Sequence, residues 1–135
     1  MDIIQQVKAL GLPLGQYVVF GSGPLAARGI RATADVDLFT TTALYTQLKV
    51  NGWEEKEKPV DARGFYLTRG IYEANDTWHH GSYNPRPEAI IAAADIINGV
   101  PFAPLVEVLK WKQAFGRPKD VADVRLIEQY MSAHQ

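Results

Sequence analysis

Two hydrophobic periods alternate along the chain, and each switch between them marks an element. Ile3, Ile4, Val7 and Leu10 recur at helical spacing, with Gly11 placed to cap the helix end. Tyr17–Phe20 is a short, wholly apolar run and predicts a buried strand. Residues 24–28 predict a short helix with Pro24 in its first turn. Residues 35–40 read as a second strand. Residues 41–50 read as a helix turning Ala43, Leu44 and Leu48 inward and ending at Asn51-Gly52.

Strand periodicity then returns. Residues 53–58 predict a strand with charged outward positions, and 64–68 and 71–75 predict two strands joined by a tight turn at Arg69-Gly70. Residues 76–87 are polar, aromatic and proline-containing, which predicts a loop. Residues 88–94 predict a helix. Asn98-Gly99 between apolar pairs predicts a hairpin within 95–102. Leu105–Phe115 reads as one helix, Gly116-Arg117 as a break, and Pro118 as the opening of a last helix to about Met131. Val121, Val124, Ile127 and Met131 are its expected apolar stripe. The fold class that follows is α+β: a mixed, mostly antiparallel β-sheet flanked by helices and closed by a C-terminal helical pair.

Composition narrows this only a little. The 135 residues suit one domain spanning 1–135, and 47% are apolar, as in ordinary globular proteins. The absence of cysteine excludes disulfides and thiolate chemistry and agrees with a cytoplasmic location. The N-terminus has no signal-peptide pattern, and no apolar run is long enough for a membrane span. A net charge of −1 gives no reason to expect a general nucleic-acid surface.

The chemistry concentrates in two places. Val18-Val19-Phe20 runs into the small-residue turn Gly21-Ser22-Gly23, and Asp35-Val36-Asp37-Leu38 follows after a short interval. Residues i and i+2 of a strand share a face, so Asp35 and Asp37 project side by side. Like charges held that close need a reason, and a divalent cation supplies one, because hard cations take carboxylate oxygens together with substrate phosphates. Backbone N–H groups of Gly21, Ser22 and Gly23 suit a phosphate cradle, with the Ser22 hydroxyl as a further donor.

These residues resemble the signature of the nucleotidyltransferase superfamily, the polymerase-beta-like fold: a hydrophobic strand, Gly-Ser, a spacer, and Asp-x-Asp in a second strand. The segment from Lys112 through Gly116-Arg117-Pro118-Lys119-Asp120 to Asp123 resembles a helical motif of small bacterial nucleotidyltransferase-like proteins related to the AbiEii toxin group. The resemblance implies a metal-dependent enzyme that moves a nucleoside monophosphate from an NTP such as ATP to a hydroxyl of an acceptor, which is a small molecule, a protein or RNA. It implies magnesium, with manganese as the alternative ion, held by Asp35, Asp37 and a third carboxylate on a later strand. Glu73 is the candidate for that position and Asp76 the reserve; an Asp is commoner there in the superfamily. Gly21, Ser22, Gly23 and Lys112 are the candidate nucleotide contacts. Arg117 and Lys119 are candidates for the same cleft, with Asp120 and Asp123 orienting Lys112 or Arg117. The alternative reading is a catalytically inactive nucleotide- or partner-binding module, a member of a toxin–antitoxin pair with a protein partner.

Other patterns compete. Gly21-x-Gly23-x-x-Ala26 matches a dinucleotide-binding fingerprint, but the interval to Asp35 is too short for a full crossover helix. No Gly-Lys-Ser/Thr follows the glycines, which excludes a Walker loop. Glu73 is open to a plain ion pair with Arg63 or Arg69. His79-His80 is read as surface loop, because adjacent histidines diverge and no third ligand is suitably spaced. Trp53, Trp78 and Trp111 are read as core or core-edge residues, with Trp78 also near enough to Glu73 to stack on a base.

Overall fold

The computed structural model describes residues 1–59 and 64–134; Arg63 lies outside the described residues. The helices are α1 (Ile3–Lys8), α2 (Gly23–Ala27), α3 (Thr42–Val50), α4 (Pro87–Ala92), α5 (Leu105–Phe115) and α6 (Pro118–Ala133). The strands are β1 (Tyr17–Phe20), β2 (Val36–Thr40), β3 (Glu54–Glu57), β4 (Phe65–Arg69), β5 (Tyr72–Asn75), β6 (Asp95–Ile97) and β7 (Val100–Phe102). They form one mixed sheet in the order β3-β4-β5-β2-β1-β7-β6. Pairings β1–β7 and β2–β5 are parallel and the other four are antiparallel, as the α+β reading expects. The antiparallel β1–β2 pair also removes the dinucleotide-fold alternative, whose first two strands run parallel.

Strand alternation divides the core into two layers. Val19, Leu38, Ala74 and Phe102 pack with α1, α3 and Trp53 on one face. Val18, Phe20 and Phe39 pack with Trp78, Ile90, Trp111 and Ile127 on the other. Each large side chain so buried stabilises the fold by about 1.5–3 kcal/mol. Asp37 shares its face with Phe39, and Glu73 lies opposite the face of Ala74. Both carboxylates therefore belong to the layer that α5 and α6 cover.

Local chemistry sets the element ends. Asp2 and Thr41 cap α1 and α3 with side-chain oxygens. Asn98 and Gly99 both take positive φ, 49° and 82°, as the hairpin turn between β6 and β7 requires. β3 is exposed along its whole length, and its Glu54-Glu55-Lys56-Glu57 charges keep this sheet edge from pairing.

Three expectations need correction. The β4–β5 turn falls at Gly70-Ile71, one residue later than Arg69-Gly70, because Arg69 still pairs with Tyr72. In α3, Ala43 faces solvent and Tyr45 takes the inward position with Leu44 and Leu48, its hydroxyl donating to Glu55 at 2.8 Å. In α6, Val121 is exposed, and the buried face consists of Asp120, Asp123 and Ile127. The helix turns carboxylates inward there because Lys112 of α5 lies beneath them.

Candidate active site

A cleft of about 560 Å³ opens where the β1, β2 and β5 ends meet the α5–α6 pair. Its lining includes Gly21, Ser22, Asp35, Asp37, Glu73 and Lys112, so most of the residues singled out in the sequence share one cavity. Gly23 does not line it. Gly23 begins α2 where an added Cβ would collide with Val19 and touch Ile3. Its small size serves packing.

The acidic floor follows from sheet register. Phe20 pairs with Asp37 across β1–β2, and Asp37 pairs with Glu73 across the parallel β2–β5 ladder. In-register neighbours on one face lie side by side, so the two carboxyl groups are close enough to hydrogen-bond to each other. Burial pushes the Asp37 carboxyl up to about 7, helped by the nearby charge and hydrogen bond of Glu73 and by Asp35, while Lys112 opposes the shift. Among the described residues no ion pair neutralises Asp35, Asp37 or Glu73. Arg69, one of the two partners considered for Glu73, instead donates to the Asn51 carbonyl and lies over Trp53. Asp76 is not among the lining residues.

Asp37 and Glu73 offer hard oxygen donors of the kind a divalent cation takes. Two adjacent carboxylates that can ionise together only at a cost gain most from a cation between them, and Asp35 lines the same floor. Among the described residues no three acidic or histidine side chains are drawn together as a ready-made metal site.

The turn above the floor is shaped by Asp37. Gly21 has φ of 63°, a left-handed conformation, and a Cβ there would run into the Asp37 carboxylate. Glycine is thus required twice over, by conformation and by contact. The adjacent Ser22 hydroxyl pairs with the Thr33 hydroxyl at 2.5 Å.

The opposite wall is a charge network. The Lys112 ammonium lies 2.8 Å from Asp123 and 3.4 Å from Asp120, and all three side chains are buried. Arg31 makes two hydrogen bonds to Asp123, at 2.7 and 2.8 Å, and Arg117 makes two to Asp120, at 2.7 and 2.9 Å. Burial alone would raise the Asp123 carboxyl, but hydrogen bonds from Arg31 and Lys112 outweigh it and hold it at about 2. Asp120 and Asp123 thus orient both Lys112 and Arg117, while Lys119 lines the cleft with no ion pair among the described residues.

The aromatic wall was less legible in the sequence. Trp78 lines the cleft but stacks on Phe20 at 4.5 Å, so one ring face belongs to the core. His80, expected as surface loop, stands in the cleft wall, stacked on Phe115 at 4.1 Å. Its Nδ1 accepts from Trp111 Nε1 at 3.0 Å, and burial lowers its pKa to about 4, leaving a neutral ring. Arg31, Lys58, Tyr66 and Asn75 also line the cleft. Of these only Asn75 carried a signal, its alternation with Glu73.

No family model matches the chain, and no curated protein matches it. Among solved structures, that of ANT(2″)-Ia in complex with adenylyl-2″-tobramycin is similar at a TM-score of 0.53 and 18% identity, over 98% of this chain and 87% of that one. The two chains share one α+β fold. The likeness runs almost end to end, so the C-terminal helical pair is part of the shared architecture. Among the described residues, no helix is long and apolar enough to cross a membrane.

Proposed function

We propose that the protein transfers a nucleoside monophosphate from an NTP to a hydroxyl of an acceptor. The observation that carries this reading is the convergence of Asp35, Asp37 and Glu73 with the Gly21-Ser22 turn in one cleft, on a fold shared with a structure that holds adenylyl-2″-tobramycin. In the reaction, the acceptor oxygen bonds to the α-phosphorus as the bond from that phosphorus to the pyrophosphate oxygen breaks. Asp35, Asp37 and Glu73 are the residues that would hold magnesium or manganese. Held there, such an ion would supply neutralisation of the phosphate charge. Gly21 and Ser22 hold phosphate oxygens through backbone N–H groups and the serine hydroxyl. Lys119 and Lys58 add positive charge at the cleft walls.

The experiment is incubation of the purified protein with α-labelled NTPs, magnesium and a cell extract, in parallel with NTP binding by calorimetry. Label on an acceptor, lost in Asp35→Asn and Asp37→Asn, supports the reading. Absence of both label and binding overturns it.

One observation favours the second reading, a catalytically silent module of the AbiEii-related, toxin–antitoxin kind with a protein partner. The Lys112 ammonium is already matched by Asp120 and Asp123, so the candidate phosphate lysine is committed to holding helices together. NTP binding without turnover, unchanged by Asp37→Asn, selects this reading.

A further inference from the structure

We infer that Thr33 is a positioning residue for the phosphate turn, acting through the Ser22 hydroxyl; the inference rests on the nucleotide-binding reading above. Ser22 occupies the N-cap position of α2, where a serine side chain ordinarily accepts from the backbone of the first turn. Here it makes no such bond. Its side-chain oxygen is instead 2.5 Å from Thr33 Oγ1, and Thr33 Oγ1 in turn donates to the Asp35 carbonyl at 3.2 Å. One threonine hydroxyl therefore ties the phosphate turn to the backbone of Asp35, just before β2 and its floor carboxylate Asp37.

Proton counting gives this link a direction. A hydroxyl has one proton and two lone pairs. With the Thr33 proton on the Asp35 carbonyl, Thr33 is the acceptor in its bond with Ser22, and the Ser22 proton is engaged. A nucleotide phosphate oxygen is an acceptor only, so binding it requires that proton. The exchange costs only the longer bond: Ser22 turns its proton to the phosphate, and Thr33 turns its own from the Asp35 carbonyl, 3.2 Å away, to the Ser22 oxygen at 2.5 Å. The serine then stays fixed as it donates, and donating and accepting together strengthens both bonds. A residue without a hydroxyl at position 33 leaves Ser22 unsupported. Nothing in the sequence marks this residue, which lies in the interval between the glycine turn and Asp35.

The test is calorimetric binding of the four magnesium nucleoside triphosphates to wild type, Thr33→Ala, Thr33→Val, Thr33→Ser, Ser22→Ala and Ser22→Ala/Thr33→Ala, each checked for an unchanged melting profile. Thr33→Ala removes the hydroxyl without adding bulk and covers the case in which valine disturbs the turn. The expected result is affinity weakened about five- to tenfold in Thr33→Ala and retained in Thr33→Ser. In the Ser22→Ala background, loss of Thr33 has no further effect. Wild-type affinity in Thr33→Ala, or the same fold loss with and without Ser22, overturns the inference while leaving the nucleotide reading intact. A wild-type protein that binds none of the four triphosphates overturns both.

Discussion

Lys112 Nζ lies 2.8 Å from Asp123 Oδ2, with the two side chains only 3% and 6% exposed. The pair joins α5 to α6 beneath the cleft wall, and Arg31 extends it to the segment leading into β2. A charge buried with partners on two sides contributes little by being there, but removing one member strands the others. Asp123→Ala should therefore cost about 3–5 kcal/mol in urea denaturation. The pH dependence has a definite sign. A carboxyl lowered to about 2 stabilises fully above its ordinary value near 3.8, and that stability fades as pH falls through about 2. Wild type should lose stability between pH 4 and 2, and Asp123→Asn should lose less there. Equal acid sensitivity in the two proteins contradicts this assignment.

Asp37 behaves in the opposite sense. Its raised value means that stability is fully present below about 3.8 and is lost as pH rises through about 7, because the folded state then holds an ionised Asp37 that is buried and beside Glu73. Without divalent ions, Asp37→Asn should melt about 4 °C or more above wild type at pH 8 and close to it at pH 4. Magnesium should narrow the gap at pH 8 by stabilising wild type alone. The same variant should lose transfer activity by more than about a hundredfold. Scanning calorimetry with and without magnesium decides the first part; an unshifted wild-type midpoint on adding the ion counts against a cation at this floor.

Gly21→Ala tests the contact between the turn and the floor. Alanine at a φ of 63° costs about 1–2 kcal/mol by conformation alone, and here its Cβ also displaces Asp37. Gly70 is the control, with φ of 58° and no atom within 4 Å of the place a methyl group would take. Gly70→Ala should show the conformational cost with transfer intact. Gly21→Ala should be less stable still and lose at least about tenfold in rate. Matching losses in the two variants mean that the Asp37 contact is unimportant.

Local periodicity and short motifs carry everything that could be read from the residues alone. The apolar run Tyr17–Phe20, the Asn98-Gly99 turn and the break before Pro118 are local preferences of a few residues, and the α+β class follows from them. Asp35 and Asp37 were legible as a pair from their i, i+2 spacing, although β2 begins at Val36 and Asp35 stands just before it. Glu73 was legible as a face, and only the parallel pairing of β2 with β5 decided that it stands beside Asp37. Packing also decided which side of α6 is inward. A helix with valine at 121 and aspartate at 120 and 123 reads as apolar-inward until a buried lysine from another helix is placed against it. His80 and Thr33 were hidden for the same reason. Each bonds to a partner in another segment, Trp111 for the imidazole and Ser22 for the hydroxyl, and no periodicity along the chain encodes a pairing that only folding brings together.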